Sequence, residues 1–188
     1  MSQLRVHLPP VHRRVLEFGS GLGGNLVALS SEFEQGIGLD VNRGFVRIAA
    51  RLTSGQYREK IRFLWYDGKL VPRFHDGFDV IFSIGVFERL ARDVVERSVR
   101  DLASQLNPGG RLLLYFLSTR AAGQPLVERL GVQAYTLWTR QEIAGLLSRA
   151  GLRVVTLEDW YGWDSSAAAR RLAKPADLCV ATLPEAAS

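Results

Sequence analysis

The sequence predicts an α/β protein with a doubly wound, mostly parallel sheet. Two observations carry this. Strand-like runs alternate with helix-like stretches along most of the chain, which is the pattern of strands linked by helical crossovers. Residues 78–83 are also almost continuously apolar, as a central strand covered on both faces must be.

The first strand is residues 14–18. A glycine-rich turn, Gly19 to Gly24, leads into a helix over 25–31. Residues 35–40 form a second strand. Asn42 then caps a helix through Arg51, with Phe45, Ile48, Ala49 and Leu52 on its apolar side. Ile61, Phe63 and Trp65 alternate along a third strand that ends at Asp67, and 78–83 is the fourth. A helix is expected over 87–106, with Leu90, Val94, Leu102 and Leu106 as its buried stripe. Oppositely charged pairs at i,i+4 (Arg89–Asp93, Asp93–Arg97, Glu96–Arg100) lie on its solvated face. The Asn107-Pro-Gly-Gly110 run ends it, and 111–117 is the fifth strand. Thr139 and Glu142 form a capping box that opens a helix to Ala150, which Gly151 closes. Residues 152–157 and 178–183 read as the last two strands, bringing the sheet to seven.

Composition limits the function classes. The chain has 188 residues, 47% hydrophobic, with one cysteine, Cys179. That length fits one domain over 1–188, with 1–13 as a short N-terminal extension and 158–177 as a long loop. A lone cysteine excludes an internal disulfide and multi-cysteine zinc patterns, and no metal is expected. The longest apolar run, 112–117, is far too short to span a membrane. A cytoplasmic setting is expected. The net charge is +5, which favours an acidic partner. Basic pairs occur at Arg13-Arg14 and Arg170-Arg171, but no long basic block marks a nucleic-acid binder.

The chemistry gathers where strands end. Gly19, Gly21 and Gly24 fit G-x-G-x-x-G after a strand, a turn that lets backbone approach a nucleotide. Asp40, 21 residues after Gly19, ends the second strand, where a carboxylate can accept from ribose hydroxyls. Glu17 sits two residues before the first glycine. It would repel a pyrophosphate but suits a cofactor carrying an ammonium group. Gly23 allows a second reading of the turn, Glu-x-Gly-x-Gly-x-Gly over 17–23. Asp67-Gly68 lies where a side chain can accept from an adenine amino group.

With these residues in place, the chain resembles the class I S-adenosylmethionine-dependent methyltransferases. The matching segments are VLEFGSGLGG (15–24), GIGLDV (36–41), WYDG (65–68), FDVIFSIGVFERL (78–90), LNPGGRLLLYF (106–116) and WTRQEIAGLLSRAGLRVV (138–155). The resemblance implies a Rossmann-like sheet with an antiparallel C-terminal strand. It implies S-adenosyl-L-methionine as cofactor and S-adenosyl-L-homocysteine as product. It places Glu17, Gly19, Gly21 and Gly23 around the methionine half, Asp40 on the ribose and Val41 against the adenine ring, with Ser20 also among the cofactor-binding residues. Asp67 and Gly68 would read the adenine edge, and Ser83 and Ile84 would line the cofactor near the transferred methyl.

Two departures bear on the acceptor. Many small-molecule relatives carry Glu-His where this chain has Glu88-Arg89, so no histidine base is available there. Only 1–13 precede the first strand, where relatives carry helices that cover the acceptor. An open site, a site covered by a second subunit of a homodimer and a site closed by the 158–177 loop all remain open. Glu88 and Tyr115 are the catalytic candidates. Trp160, Tyr161 and Trp163 are the substrate candidates, as a lid or partner surface, with Tyr135 and Trp138 as further aromatics of the acceptor side. The expected reaction is direct in-line methyl transfer to a small-molecule acceptor. The alternatives are a methyltransferase-like non-catalytic or partner-dependent subunit, and an RNA methyltransferase. A nicotinamide oxidoreductase is disfavoured, because no Tyr-x-x-x-Lys arrangement occurs.

Overall fold

A computed structural model describes residues 2–118, 127–130, 133–160 and 176–184. The chain runs α1 (Ser2–Arg5), β1 (Arg14–Phe18), α2 (Gly24–Ala28), β2 (Gln35–Asp40), α3 (Arg43–Leu52), β3 (Ile61–Trp65) and β4 (Phe78–Ser83). A 3-10 turn, Phe87–Arg89, precedes α4 (Arg92–Ala103), β5 (Leu106–Leu117), β6 (Val127–Leu130), β7 (Gln133–Thr136), α5 (Arg140–Arg149), β8 (Arg153–Asp159) and β9 (Ala176–Thr182). Seven strands form one sheet in the order β3-β2-β1-β4-β5-β9-β8. Pairing is parallel from β3 to β5, while β9 runs antiparallel to both its neighbours. The expected Rossmann-like sheet with one reversed strand near the C-terminus is therefore what forms.

Two apolar layers sandwich the sheet. One holds Leu16, Phe18, Ile81, Leu112 and Leu114 with α4 and α5, packing through Val95, Val99, Leu102, Ile143 and Leu147. The other holds Val15, Val80, Phe82, Leu113 and Val180 under Leu4, Leu26, Leu29 and Ala49 of the segments on that face. Successive strand residues alternate between the layers, as the pleat requires. β4 is buried at five of its six positions, in keeping with its central place.

The N-terminal extension covers a sheet face. Leu4 of α1 is 1% exposed, and Arg111 donates to the carbonyl of His7 at 2.8 Å. His7 in turn bonds Glu158 at 2.8 Å.

Several elements differ from the sequence reading. The helix expected over 87–106 is a 3-10 turn plus α4, separated by Leu90 and Ala91 in extended backbone. Its buried stripe is Val95, Val99 and Leu102 instead of Leu90 and Val94. Leu106 belongs to β5, which absorbs the Asn-Pro-Gly-Gly run through a register irregularity opposite Phe78 and Val80. Glu96 pairs across to Arg149 of α5 at 2.8 Å. The helix expected over 25–31 is only five residues long, and β3 stops at Trp65. On α3 only Ala49 is buried, while Phe45, Ile48 and Leu52 stay exposed. The β6–β7 hairpin was not foreseen.

Candidate active site

β1 and β4 are neighbours at the point where the strand order reverses, which is where an open parallel sheet leaves a crevice at its carboxyl edge. The glycine turn leaves β1 there. Gly19, Gly21 and Gly23 all adopt positive φ, at 75°, 53° and 79°. Gly24 instead opens α2, so the Glu-x-Gly-x-Gly-x-Gly reading describes the turn. A Cβ on Gly23 would meet Phe63 at 2.3 Å, so a side chain there is blocked by packing as well as by conformation. A Cβ on Gly21 would meet nothing within 4 Å; this glycine faces open space.

Glu17 is 1% exposed. Its Oε1 accepts from Asn25 Nδ2 at 2.6 Å, while Oε2 is buried without a partner. Burial pushes the carboxyl up to about 8, against the pull of Asn25 and the Leu26 backbone. A buried unpaired acceptor is costly. Its place beside the glycine turn fits a cationic ligand group. Ser20 Oγ, in the same turn, is likewise buried without a partner.

Asp40 ends β2 and is 8% exposed. Its Oδ2 accepts from the Gly21 N–H and its Oδ1 from the Asn42 N–H, both at 2.8 Å. Asp40 thereby ties the glycine turn to the start of α3, and each oxygen keeps a lone pair for a ligand. Val41 is 54% exposed, and its carbonyl accepts from Trp65 Nε1 at 2.8 Å. Asp67 is exposed and caps its own turn by accepting from the Lys69 N–H at 3.0 Å; Gly68 has φ 80°. Tyr66 packs on Phe18 with ring centroids 5.8 Å apart. Its phenol is pushed up to about 12, by burial first and then by the Asp40 and Asp67 charges. Ser83 spends its hydroxyl on the Phe18 carbonyl at 2.8 Å, pinning β4 to β1. Ile84 is half-buried beside it.

On the other side of β4 lies a second group. Glu88 is 5% exposed, with Oε2 buried and unpartnered. Its carboxyl is raised by burial, and Arg89, 3.6 Å from Oε1, works in the opposite direction. Tyr115 of β5 is pushed up to about 12 by burial, by the Glu88 charge and by Tyr135 of the β6–β7 hairpin. Trp160 is 6% exposed and meets Tyr115 edge-on, with centroids 6.2 Å apart. It packs there as a wall residue. Trp138 is 1% exposed, against Phe116 and beneath Arg92, and belongs to the core. Tyr161, Trp163 and Arg170-Arg171 lie outside the described residues.

A family model described as a methyltransferase domain matches residues 3–157. The chain belongs to the methyltransferase-domain family. An uncharacterized methyltransferase of Bacillus subtilis (strain 168), YcgJ, is 30% identical over 101 residues, covering 54% of this chain and 39% of that protein. The match therefore spans less than half of that relative's length. Among solved structures, the glycopeptide N-methyltransferase MtfA complexed with S-adenosyl-L-methionine superposes with a TM-score of 0.78 at 16% identity, covering 97% of this chain and 92% of that one. The [4+2]-cyclase SpnF superposes with a TM-score of 0.79 at 18% identity, covering 98% and 81%. At such identities the likeness is one of fold, and the fold is that of the class I S-adenosylmethionine-dependent methyltransferases.

In this methyltransferase-family chain the structure brings Glu17, Ser20, Gly21 and Asp40 together at the crevice. It brings Glu88, Tyr115, Tyr135 and Trp160 together beside it. The sequence reading missed Asn25 and Tyr66. Asn25 stands eight residues after Glu17, and only the immediate return of α2 across the end of β1 makes them partners. The alternating apolar pattern of β3 offered a weak signal for Tyr66, as the first residue past the strand. The reading also missed Arg140, which donates to Asp159 and Asp177 and ties α5 to the ends of β8 and β9.

Proposed function

We propose that the chain is an S-adenosyl-L-methionine-dependent methyltransferase that transfers a methyl group directly, in line, to a small-molecule acceptor. The single observation that carries this is Glu17, whose buried Oε2 lacks a partner beside a glycine turn of three positive-φ residues. A carboxylate there accepts from the cofactor's ammonium. Asp40 holds the ribose hydroxyls, Val41 packs on the adenine, and Asp67 with the Gly68 backbone reads its edge. Gly19, Ser20, Gly21 and Gly23 shape the methionine end, with Ser83 and Ile84 near the reacting centre. When bound, S-adenosyl-L-methionine supplies an electrophilic methyl on a sulfonium, already a good leaving group.

The chain's own part is then alignment and exclusion of water. Trp160 and Tyr115 wall the acceptor side with apolar surface. Glu88 takes the acceptor's proton, since burial has raised its basicity. Tyr115, held protonated, donates a hydrogen bond to the acceptor. No helix among the described residues is long and apolar enough to cross a membrane.

Purified protein with S-adenosyl-L-methionine and a panel of small alcohols, amines and carbon acids tests this reading. Release of S-adenosyl-L-homocysteine with a methylated small product is expected. Turnover that depends on added RNA would overturn the acceptor class. Cofactor binding without turnover, until a second protein is added, would favour a partner-dependent subunit.

A further inference from the structure

All of the chain's excess positive charge sits on one stretch. Residues 41–66 hold Arg43, Arg47, Arg51, Arg58, Lys60 and Arg62 against one carboxylate, Glu59. Their net of +5 equals that of the whole chain, and the other residues carry eighteen charges of each sign. In the fold this stretch is α3, the turn after it and the edge strand β3. Its five arginines are exposed. None of the six cations joins an ion pair among the described residues.

The same stretch leaves apolar surface in water. Eleven large hydrophobic side chains are exposed among the described residues, and six of them are Val41, Phe45, Ile48, Leu52, Leu64 and Trp65. On α3, Phe45, Ile48, Ala49 and Leu52 are spaced as one helical stripe. The sheet buries only Ala49, at 0% exposure, while Ile48 is 45% and Leu52 70% exposed. Arg47 and Arg51 fall on the opposite side of the helix by the same spacing, while the Arg43 guanidinium lies over the Trp65 ring, 3.9 Å from its centroid.

We infer that α3 and the β3 edge form a docking surface for an anionic lipid bilayer. The charge selects a negatively charged partner. The aliphatic stripe then decides which kind. A polyanion such as RNA is met by cations and gains nothing from Ile48 and Leu52, whereas a bilayer surface offers phosphate to the arginines and acyl chains to the stripe. A helix with a basic face and an apolar face is the element that lies in such an interface. Because α3 begins three residues after Asp40, docking there sets the cofactor crevice beside the lipid surface.

Co-sedimentation of the full chain with vesicles tests this. One set is phosphatidylcholine alone, and the other is phosphatidylcholine mixed with phosphatidylglycerol. Binding is expected to the mixed vesicles only, weakening as salt rises. Ile48→Ser/Leu52→Ser and Arg47→Gln/Arg51→Gln should each lower the partition at least ~10-fold, with circular dichroism and S-adenosyl-L-homocysteine affinity unchanged. Absence of binding to anionic vesicles in a folded protein would overturn the inference. So would equal binding by either variant. Loss in the arginine variant alone, with undiminished binding to RNA by the Ile48→Ser/Leu52→Ser variant, would assign the surface to a polyanion and overturn it too.

Discussion

Asn25 Nδ2 donates to Glu17 Oε1 at 2.6 Å, and the other carboxylate oxygen of Glu17 is left buried with no partner. One helix residue thus satisfies half of a buried acid and holds it facing the glycine turn. The arrangement is costly for the ligand-free protein and favourable once a cation arrives.

Replacing Glu17 with Gln should therefore stabilise the ligand-free chain and weaken cofactor binding. The folded carboxyl lies near 8 against an ordinary value of 4.5, so the folded state holds the proton more tightly than the unfolded one. This group's contribution to stability is full below pH 4.5 and is lost as pH rises through 8. Urea unfolding at pH 8 should show the Gln variant more stable than the parent by ~1 kcal/mol or more, with the gap closing toward pH 5. Calorimetry should show at least tenfold weaker S-adenosyl-L-homocysteine binding. A destabilised variant with unchanged affinity would remove Glu17 from the site.

The same titration sets the pH dependence of binding. A cationic group selects the ionised carboxyl, so affinity for S-adenosyl-L-homocysteine should rise from pH 6.5 toward 8. Near pH 7 binding should release a proton from Glu17, visible as a dependence of the heat on buffer ionisation enthalpy. Equal heats in phosphate and Tris, with affinity flat across that range, would show that Glu17 does not change its charge on binding.

Asp40→Ala should cost at least ~1.5 kcal/mol of cofactor affinity, since a charged hydrogen-bond acceptor is removed. It also frees the Gly21 and Asn42 N–H groups that Asp40 holds at 2.8 Å. Part of the loss will therefore be turn disorder, and amide exchange at Gly21 should rise in step. Unchanged affinity in a folded variant would refute the ribose assignment.

Trp160→Ala should act on stability first. The ring is 6% exposed and packs on Tyr115, so its removal leaves a cavity costing ~3 kcal/mol or more in thermal or urea unfolding. Cofactor affinity should hold if Trp160 belongs, as proposed, to the acceptor side. A variant as stable as the parent would return Trp160 to the lid role suggested by its neighbours in sequence.

Much of the fold was legible because the strands are bounded by strong punctuation. Gly19, Asp40 and Ser83 each end a run whose apolar pattern admits only a covered strand. The Thr139–Glu142 capping box forms as its spacing implies. What stayed hidden depends on long-range packing. Leu90 reads as one turn of a continuous helix, yet Thr136 of the unforeseen hairpin donates to its carbonyl at 2.9 Å, and the backbone there is extended. Phe45, Ile48 and Leu52 have the periodicity of a core face, but periodicity does not reveal that β3 is the last strand and leaves that face uncovered. On the cofactor side the candidate residues come from strand ends that parallel order brings together. On the proposed acceptor side Glu88, Tyr115 and Trp160 meet only through the reversed strand and the hairpin, which local sequence does not encode.

The most direct test is calorimetric titration of the purified chain with S-adenosyl-L-homocysteine, with NADH as the control. Micromolar binding of the first and none of the second is expected. A folded protein that binds neither, or that prefers NADH, would contradict it.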